Sequence, residues 1–148
     1  MSQCLSTTAI TDTNNKIDKA EFILSQSFEP EETYVTHRFT DGLYIRQIYM
    51  KKGAKVVSKI HKTNHPFAIL KGDVSVYSAN EGVVRYRGPM FGITYPSTRR
   101  LLLVHEDTIW ITFHPGKEKT PEEFEKRIIE PYTNPFIAQE NLINTLLQ

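Results

Sequence analysis

The sequence predicts a mainly β domain, folded as a sandwich or barrel, with two helices at its C-terminal end. Between Thr33 and His114, short segments rich in Val, Ile, Tyr, Phe and Thr alternate with turn signals at intervals of roughly 8–12 residues. After Pro115 the apolar residues recur instead at the spacing of an amphipathic helix. Regularly spaced short strands are typical of sandwiches and barrels, and the change of period marks the start of the helical segment.

Short strands separated by turns are predicted throughout the β region. Asp41-Gly42 and Asn80-Glu81-Gly82 are typical tight hairpin connections, because Gly and Asn tolerate a positive φ angle. Gly72-Asp73 and His105-Glu106-Asp107 are also interpreted as turns, and Trp110 is predicted on the outer face of the sheet or at an interface. The predicted strands span Thr33–Thr40, Leu43–Lys52, Ala54–Lys62, Phe67–Lys71, Val74–Ala79, Val83–Arg87, Met90–Tyr95, Arg100–Val104 and Thr108–His114.

Three segments are predicted along the chain: an N-terminal extension over residues 1–32, a β-barrel over 33–115 and a helical segment over 116–148. The extension is expected to be partly disordered, because Met1–Asn15 is rich in Ser, Thr and Asn and has little apolar periodicity. Lys16–Gln26 is compatible with either a short helix or a strand.

Both C-terminal helices have recognisable start signals. Thr120 is predicted as an N-cap before Pro121, with Glu123 completing a capping box. Asn134-Pro135 predicts the start of the last helix in the same way. The apolar end of that helix, residues 142–147, needs cover from this chain or from a partner subunit, so we expect a homodimer or a higher oligomer.

Composition narrows the class of protein. The chain has 148 residues, the size of a single domain, and a net charge of +1, which argues against a large basic face for nucleic acid. Cys4 is the only cysteine, so no internal disulfide can form, which fits a reducing compartment. No apolar run approaches the length of a membrane span, and the first residues lack the pattern of a secretory signal. We therefore expect a cytoplasmic protein with no membrane and no nucleic-acid partner.

The segment from Gly53 to Gly72 contains the densest group of titratable residues. Lys59 follows Gly53 after five residues, His61 follows after one more, His65 after three, and Gly72 after six. This spacing resembles the first motif of the cupin superfamily, in which a glycine, two histidines, a glutamate and a second glycine stand at the same intervals. Lys59 occupies the first histidine position, His61 the second, and His65 the glutamate position.

The second cupin motif is less complete. Anchored on Gly88, it places Thr94 at the motif's proline position, Pro96 at its second glycine position and Arg99 at its histidine position. The resemblance implies a cupin-like double-stranded β-helix, or jelly-roll barrel, over about Leu43 to His114. Cupins include sugar isomerases, epimerases, dioxygenases and non-catalytic binding proteins. Their motif histidines and glutamate hold a divalent metal, which His61 and His65 could help to bind here, but cationic side chains at Lys59 and Arg99 oppose it.

Alternation along a strand places Lys59 and His61 on one face, where inward-pointing polar groups line a ligand cavity or find partners. The leading hypothesis is a small-molecule-binding protein with a pocket for an anionic or sugar-like ligand. One alternative is a cupin enzyme acting on a sugar or small acid, either with a metal or with His61 or His65 as acid–base group and Lys59 as electrostatic stabiliser. The other alternative is a structural or assembly protein that uses the barrel as a scaffold. His114, at the end of the last predicted strand, is interpreted as a structural residue. The predicted ligand-binding residues are Lys59, His61, His65, Tyr95 and Arg99, with Arg100 as the alternative to Arg99.

Overall fold

The computed structural model describes residues 7–26, 33–79 and 81–147. The strands hydrogen-bond into one antiparallel sheet that folds around a core. Its order is β1-β2-β7-β4-β5, with β3 paired to β7 and β6 paired to β4. The elements are α1 Thr7–Ser25, β1 Thr33–Thr40, β2 Leu43–Met50, β3 Lys55–Val57, β4 His65–Ser78, β5 Gly82–Arg87, β6 Met90–Thr94, β7 Leu101–Pro115, α2 Pro121–Ile128 and α3 Pro135–Leu146.

Two of the predicted turns are wrong, because β4 and β7 are continuous through them. Gly72-Asp73 lies within β4 and His105-Glu106-Asp107 lies within β7. The two strands pair along their length, with register shifts between Ile69 and Val74 where both bend. A bulge lets a strand bend and remain in the sheet, so one long strand takes the place of two short ones. Asp41-Gly42 does connect β1 to β2 as predicted, whereas Asn80 lies outside the described residues.

Gly72 is required where β4 crosses β7. Its φ angle is +132°, and a Cβ atom at this position would lie 2.2 Å from Thr108 Oγ1. Only glycine allows the two backbones to approach this closely. The second glycine of the cupin-like spacing therefore marks a close strand crossing.

Trp110 faces the core, so the prediction that it covers the outer face is wrong. Its side chain is 5% exposed, and its ring lies 4.8 Å from that of Phe67, centroid to centroid. The alternation with Ile109 and Ile111 is present as expected, but both faces of β7 carry apolar residues. The pattern could therefore not show which face was the interior. The even-numbered residues Thr108, Trp110, Thr112 and His114 all point inward.

The N-terminal helix α1 begins at Thr7, so residues 7–15 of the extension that was expected to be partly disordered are helical. The helix is anchored by Ile17 and Asp18, both with no exposed surface. Tertiary packing of one face commonly outweighs weak helix propensity. The remainder of the segment expected to be partly disordered, residues 1–6 and 27–32, lies outside the described residues.

Both C-terminal helices begin where the sequence predicts. Thr120 accepts a hydrogen bond from the backbone N–H of Glu123, and Asn134 accepts one from Phe136. Proline follows the N-cap in both helices, where its missing N–H costs nothing. Within the described residues, no helix combines the length and the apolarity needed to cross a membrane.

Candidate functional site

A cavity of about 210 Å³ lies inside the barrel, between the inner faces of β2 and β7, the segment around His61 and helix α2. Helix α2 is held against this end of the barrel by backbone hydrogen bonds from Lys62 to Ile128 and from Glu130 to Ile60. The cavity is lined by Tyr44, Arg46, Ile48, Met50, Val56, Val57, Ser58, Lys59, His61, His65, Thr94, Thr98, Arg100, Leu102, Trp110, Thr112, His114, Glu125, Ile128 and Ile129.

Three histidines meet at one wall of the cavity. The ring centroid of His65 lies 4.5 Å from that of His61 and 4.4 Å from that of His114. The rings of His61 and His114 are 6.1 Å apart and nearly parallel. His61 and His65 thus lie together, as the motif spacing predicts, and β7 adds His114. The interpretation of His114 as merely structural overlooked its place on the inner face of β7, which it shares with Trp110 and Thr112.

All three imidazoles are neutral at neutral pH. Burial lowers the pKa of His61 to about 3, that of His65 to about 4 and that of His114 to about 3. A protonated imidazole would lose its hydration here and would also be repelled by the nearby guanidinium groups. Nδ1 of His65 and Nδ1 of His114 are buried and have no hydrogen-bond partner among the described residues. The wall therefore presents free polar atoms without carrying charge.

Two arginines supply the charge inside the cavity. Arg100 is 7% exposed, donates a hydrogen bond to Thr94 Oγ1 and lies 4.9 Å above the ring of Phe67. Arg46 is half-buried on β2. Burial lowers the pKa of both guanidinium groups, yet arginine stays protonated in proteins. No carboxylate among the described residues forms an ion pair with either of them.

Lys59 lies at the rim of the cavity and not at its centre. Its Nζ atom lies 3.1 Å from Glu125 Oε1, and the two side chains are 61% and 48% exposed. An ion pair this exposed contributes little to stability. Lys59 and Glu125 thus largely neutralise each other at the opening, and the net positive charge comes from the two interior arginines.

The structure places Arg99 and Tyr95 away from the cavity lining. Arg99 is buried, but it points to helix α1, where its guanidinium pairs with Asp18 and with Glu21. Adjacent residues in extended chain point to opposite sides, so Arg100 faces the cavity when Arg99 does not. Tyr95 is 36% exposed and is not among the residues that line the cavity. The arginine in the pocket is one position further along the chain than the motif anchor indicates.

A divalent metal fits this arrangement poorly. Among the described residues, no group of three His, Cys, Asp or Glu side chains is placed to hold a metal ion. Two cationic guanidinium groups line the same cavity as the histidines. Positive charge close to a cation site weakens binding.

No protein-family model and no curated protein sequence matches the chain. Several solved structures do. A cupin 2 conserved barrel domain protein from Leptotrichia buccalis aligns with a TM-score of 0.50 and 11% identity over 62% of this chain, which spans 44% of that protein. A cupin domain from Bordetella pertussis aligns at 0.48, with 7% identity over 62% of this chain and 100% of its own. An RmlC-like cupin from Methanocaldococcus jannaschii aligns at 0.47, with 13% identity over 60% and 85%.

At these identities the similarity concerns the fold. The Leptotrichia buccalis protein, which aligns at a TM-score of 0.50, is described as a cupin 2 conserved barrel domain protein. The predicted mainly β architecture with two C-terminal helices agrees with the strands and helices observed here. The chain therefore has the cupin fold, as the spacing from Gly53 to Gly72 predicts.

Proposed function

We propose that the protein binds a small anion that carries an apolar group, in the cavity lined by Arg46 and Arg100. The observation that supports this function is the pair of guanidinium groups that line one cavity, neither of which forms an ion pair with a carboxylate among the described residues. Glu125 acts on Arg46 and Glu81 acts on Arg100 only at longer range. Burying a charge without a partner is costly, so such groups are usually matched by an opposite charge. A ligand carboxylate or phosphate would supply it, with two hydrogen bonds from one guanidinium in the best geometry.

The rest of the lining suits the apolar part of such a ligand. Ile48, Met50, Leu102 and Trp110 contribute apolar surface to the cavity. The Thr112 hydroxyl and the neutral imidazole of His114 lie further along β7, where Arg46 pairs with Thr112 and Tyr44 with His114, and they offer hydrogen bonds without charge. A pocket of this kind uses its apolar wall for affinity and its few polar groups for orientation. A small carboxylic acid matches the charge and the volume best.

Replacing Arg46 should abolish most of the anion binding. A thermal-shift screen with aliphatic and aromatic carboxylic acids, sugar phosphates and nucleotides identifies a ligand by its rise in melting temperature. Calorimetry with the best carboxylic acid should then show an affinity about 10- to 100-fold weaker in Arg46→Met, the effect of losing a hydrogen bond to a charged group.

Arg85→Met is the matched control for this measurement. Arg85 lies on β5, outside the cavity lining, and pairs with Asp73. Its replacement should leave the affinity unchanged. A screen in which no anion stabilises the wild-type protein, or equal affinities for wild type and Arg46→Met, would refute anion binding at this site.

A metal-dependent enzyme is the second candidate function, and the buried Nδ1 atoms of His65 and His114 are the observation that favours it. Neutral imidazoles are the form in which histidine binds metals. This candidate requires the three rings to turn so that their nitrogens converge. By contrast, a histidine whose pKa is 3–4 is a weak general base at neutral pH, so metal-free acid–base catalysis by His61 or His65 receives less support.

The metal candidate predicts a metal content near one ion per chain in protein purified without a nickel column. The content should fall in His114→Ala and stay unchanged in His105→Ala, because His105 bonds to Ser75 and does not line the cavity. Elemental analysis by mass spectrometry measures it. Substoichiometric metal that His114→Ala does not alter would remove this candidate.

A further inference from the structure

Arg46 and Arg100 lie in different surroundings inside the cavity. The Cζ atom of Arg100 lies 4.9 Å from the centre of the Phe67 ring and 5.7 Å from that of the Trp110 ring. Its Nη1 atom also donates a hydrogen bond to Thr94. A guanidinium stacked on aromatic rings keeps its hydrogen-bond donors in its own plane, where a carboxylate can accept them.

The two arginines extend from different walls of the barrel. Arg100 directly precedes Leu101, the first residue of β7. Arg46 on β2 pairs with Thr112 near the other end of β7, and Thr112 pairs in turn with Phe67 on β4. Adjacent strands are about 4.8 Å apart, so the backbone of Arg46 lies about 10 Å from that of the residue on whose ring Arg100 is stacked. A ligand between the two walls therefore meets one guanidinium on each side.

Different carboxylates act on the two guanidinium groups. Burial lowers the pKa of both, and the charge of Glu125 opposes this shift at Arg46. At Arg100 the opposing carboxylate is Glu81. Glu125 lies on α2 at the opening of the cavity, whereas Glu81 lies between β4 and β5 and accepts a hydrogen bond from Tyr86. The two guanidinium groups thus lie near separate parts of the barrel.

Two positive charges remain inside the cavity, because Lys59 and Glu125 neutralise each other at the opening. A carboxylate bound to one guanidinium leaves the other buried without a matching charge, which is costly. We infer that the ligand is a dicarboxylic acid that places one carboxylate on Arg46 and the other on Arg100, with its carbon chain against the apolar lining. This inference rests on the proposed function, because it specifies the anion that the same cavity binds.

The size of the cavity limits the length of the chain between the two carboxylates. Its volume of about 210 Å³ is below the roughly 300–1,000 Å³ that is usual for pockets of drug-sized ligands. A chain that is too short cannot reach both guanidinium groups, and one that is too long does not fit without strain. We therefore expect the affinity to pass through a maximum as methylene groups are added.

Calorimetry with linear dicarboxylic acids, from succinate to suberate, tests this inference against monocarboxylic acids of the same chain length. The best diacid should bind about 10- to 100-fold more tightly than its matched monoacid, the effect of a second contact with a charged group. In Arg46→Met and in Arg100→Met the two acids should bind about equally, because only one guanidinium remains. Arg85→Met should keep the advantage of the diacid, since Arg85 lies outside the cavity lining.

The outcomes distinguish this inference from the proposed function. Binding of no acid at all would refute both, whereas equal affinities for diacids and monoacids in the wild type would refute the diacid and leave anion binding in place. A diacid advantage that survives Arg100→Met but is lost in Lys59→Met would place the second carboxylate at the opening and overturn the inference. Tighter binding of phenyl phosphate than of every diacid would also overturn it, because a phosphate concentrates its charge in one group. Circular dichroism melting checks the fold, and Arg46→Met decides the test if Arg100→Met does not fold.

Discussion

Below about pH 6.5 the protein should lose stability steeply, by about 3 kcal/mol per pH unit from His65 and His114 alone. Each of these side chains is 2% exposed, and burial holds the pKa of His65 at about 4 and that of His114 at about 3. In the unfolded chain both titrate near the ordinary value of 6.5. The unfolded state therefore binds protons that the folded state does not bind, so lowering the pH favours unfolding.

The direction of the two pKa shifts determines the pH range in which the protein loses stability. The folded pKa is lower than the unfolded pKa, so the full stability is present above about pH 6.5 and is lost as the pH falls toward 4. Urea denaturation at pH 7.0, 6.0 and 5.0 measures the slope of the unfolding free energy. His114→Gln should reduce the slope by about 1.4 kcal/mol per pH unit, the share of one proton.

His105→Gln provides the comparison for this slope, because His105 lies outside the cavity and bonds to Ser75. The reduction in slope is expected for His114, whose imidazole lines the cavity. An unfolding free energy that stays constant between pH 7 and pH 5 would show that the three imidazoles are not held neutral by burial.

Asp18→Ala should cost about 3–5 kcal/mol of stability, the usual effect of removing one partner of a buried ion pair. Asp18 has no exposed surface and accepts hydrogen bonds from Arg99 and from the hydroxyl of Tyr132. Arg99 is 4% exposed, so the substitution leaves its charge buried with only Glu21, 2.9 Å away. Since domains are stable by about 5–15 kcal/mol in total, the loss is a large fraction.

The same substitution should loosen helix α1, because it removes the carboxylate that accepts hydrogen bonds from Arg99 and Tyr132. The hydrogen bond from Asn134 to the backbone carbonyl oxygen of residue 18 remains. Urea denaturation gives the change in unfolding free energy, and hydrogen exchange reports the opening of α1. Lys59→Ala is the control: it removes an exposed ion pair and should change the free energy by under about 1 kcal/mol. A double variant, Asp18→Leu with Arg99→Met, should lose less than Asp18→Ala, because no arginine charge then remains buried.

A similar loss in Lys59→Ala and Asp18→Ala would contradict the assignment of Arg99 to a structural ion pair. This ion pair also explains why the second cupin motif, which places Arg99 at its histidine position, did not identify the arginine that lines the cavity. Sequence spacing counts positions along a chain, whereas the direction of a side chain depends on the turn that precedes β7. The turn directs Arg100 inward and Arg99 to α1.

The local features of the fold were predictable because local chemistry determines them. Thr120 and Asn134 cap helices since their side-chain oxygens accept bonds from backbone N–H groups nearby in sequence. Asp41-Gly42 forms a hairpin since glycine adopts a positive φ angle there. The continuity of β4 and β7 was not predictable in this way. Gly72 and His105-Glu106-Asp107 have the composition of turns, and only long-range pairing keeps them in strands.

The spacing from Gly53 to Gly72 predicts that His61 and His65 lie close together. The intervals between these residues are short, so they restrict where the two side chains can lie. Which face of β7 is the interior depends on how the whole sheet folds. That choice brings His114 to the other two histidines, places Arg46 and Arg100 in one cavity, and leaves an apolar surface on the outside. The physical reason is that β7 is apolar on both faces, so its alternation cannot distinguish inside from outside until the sheet closes.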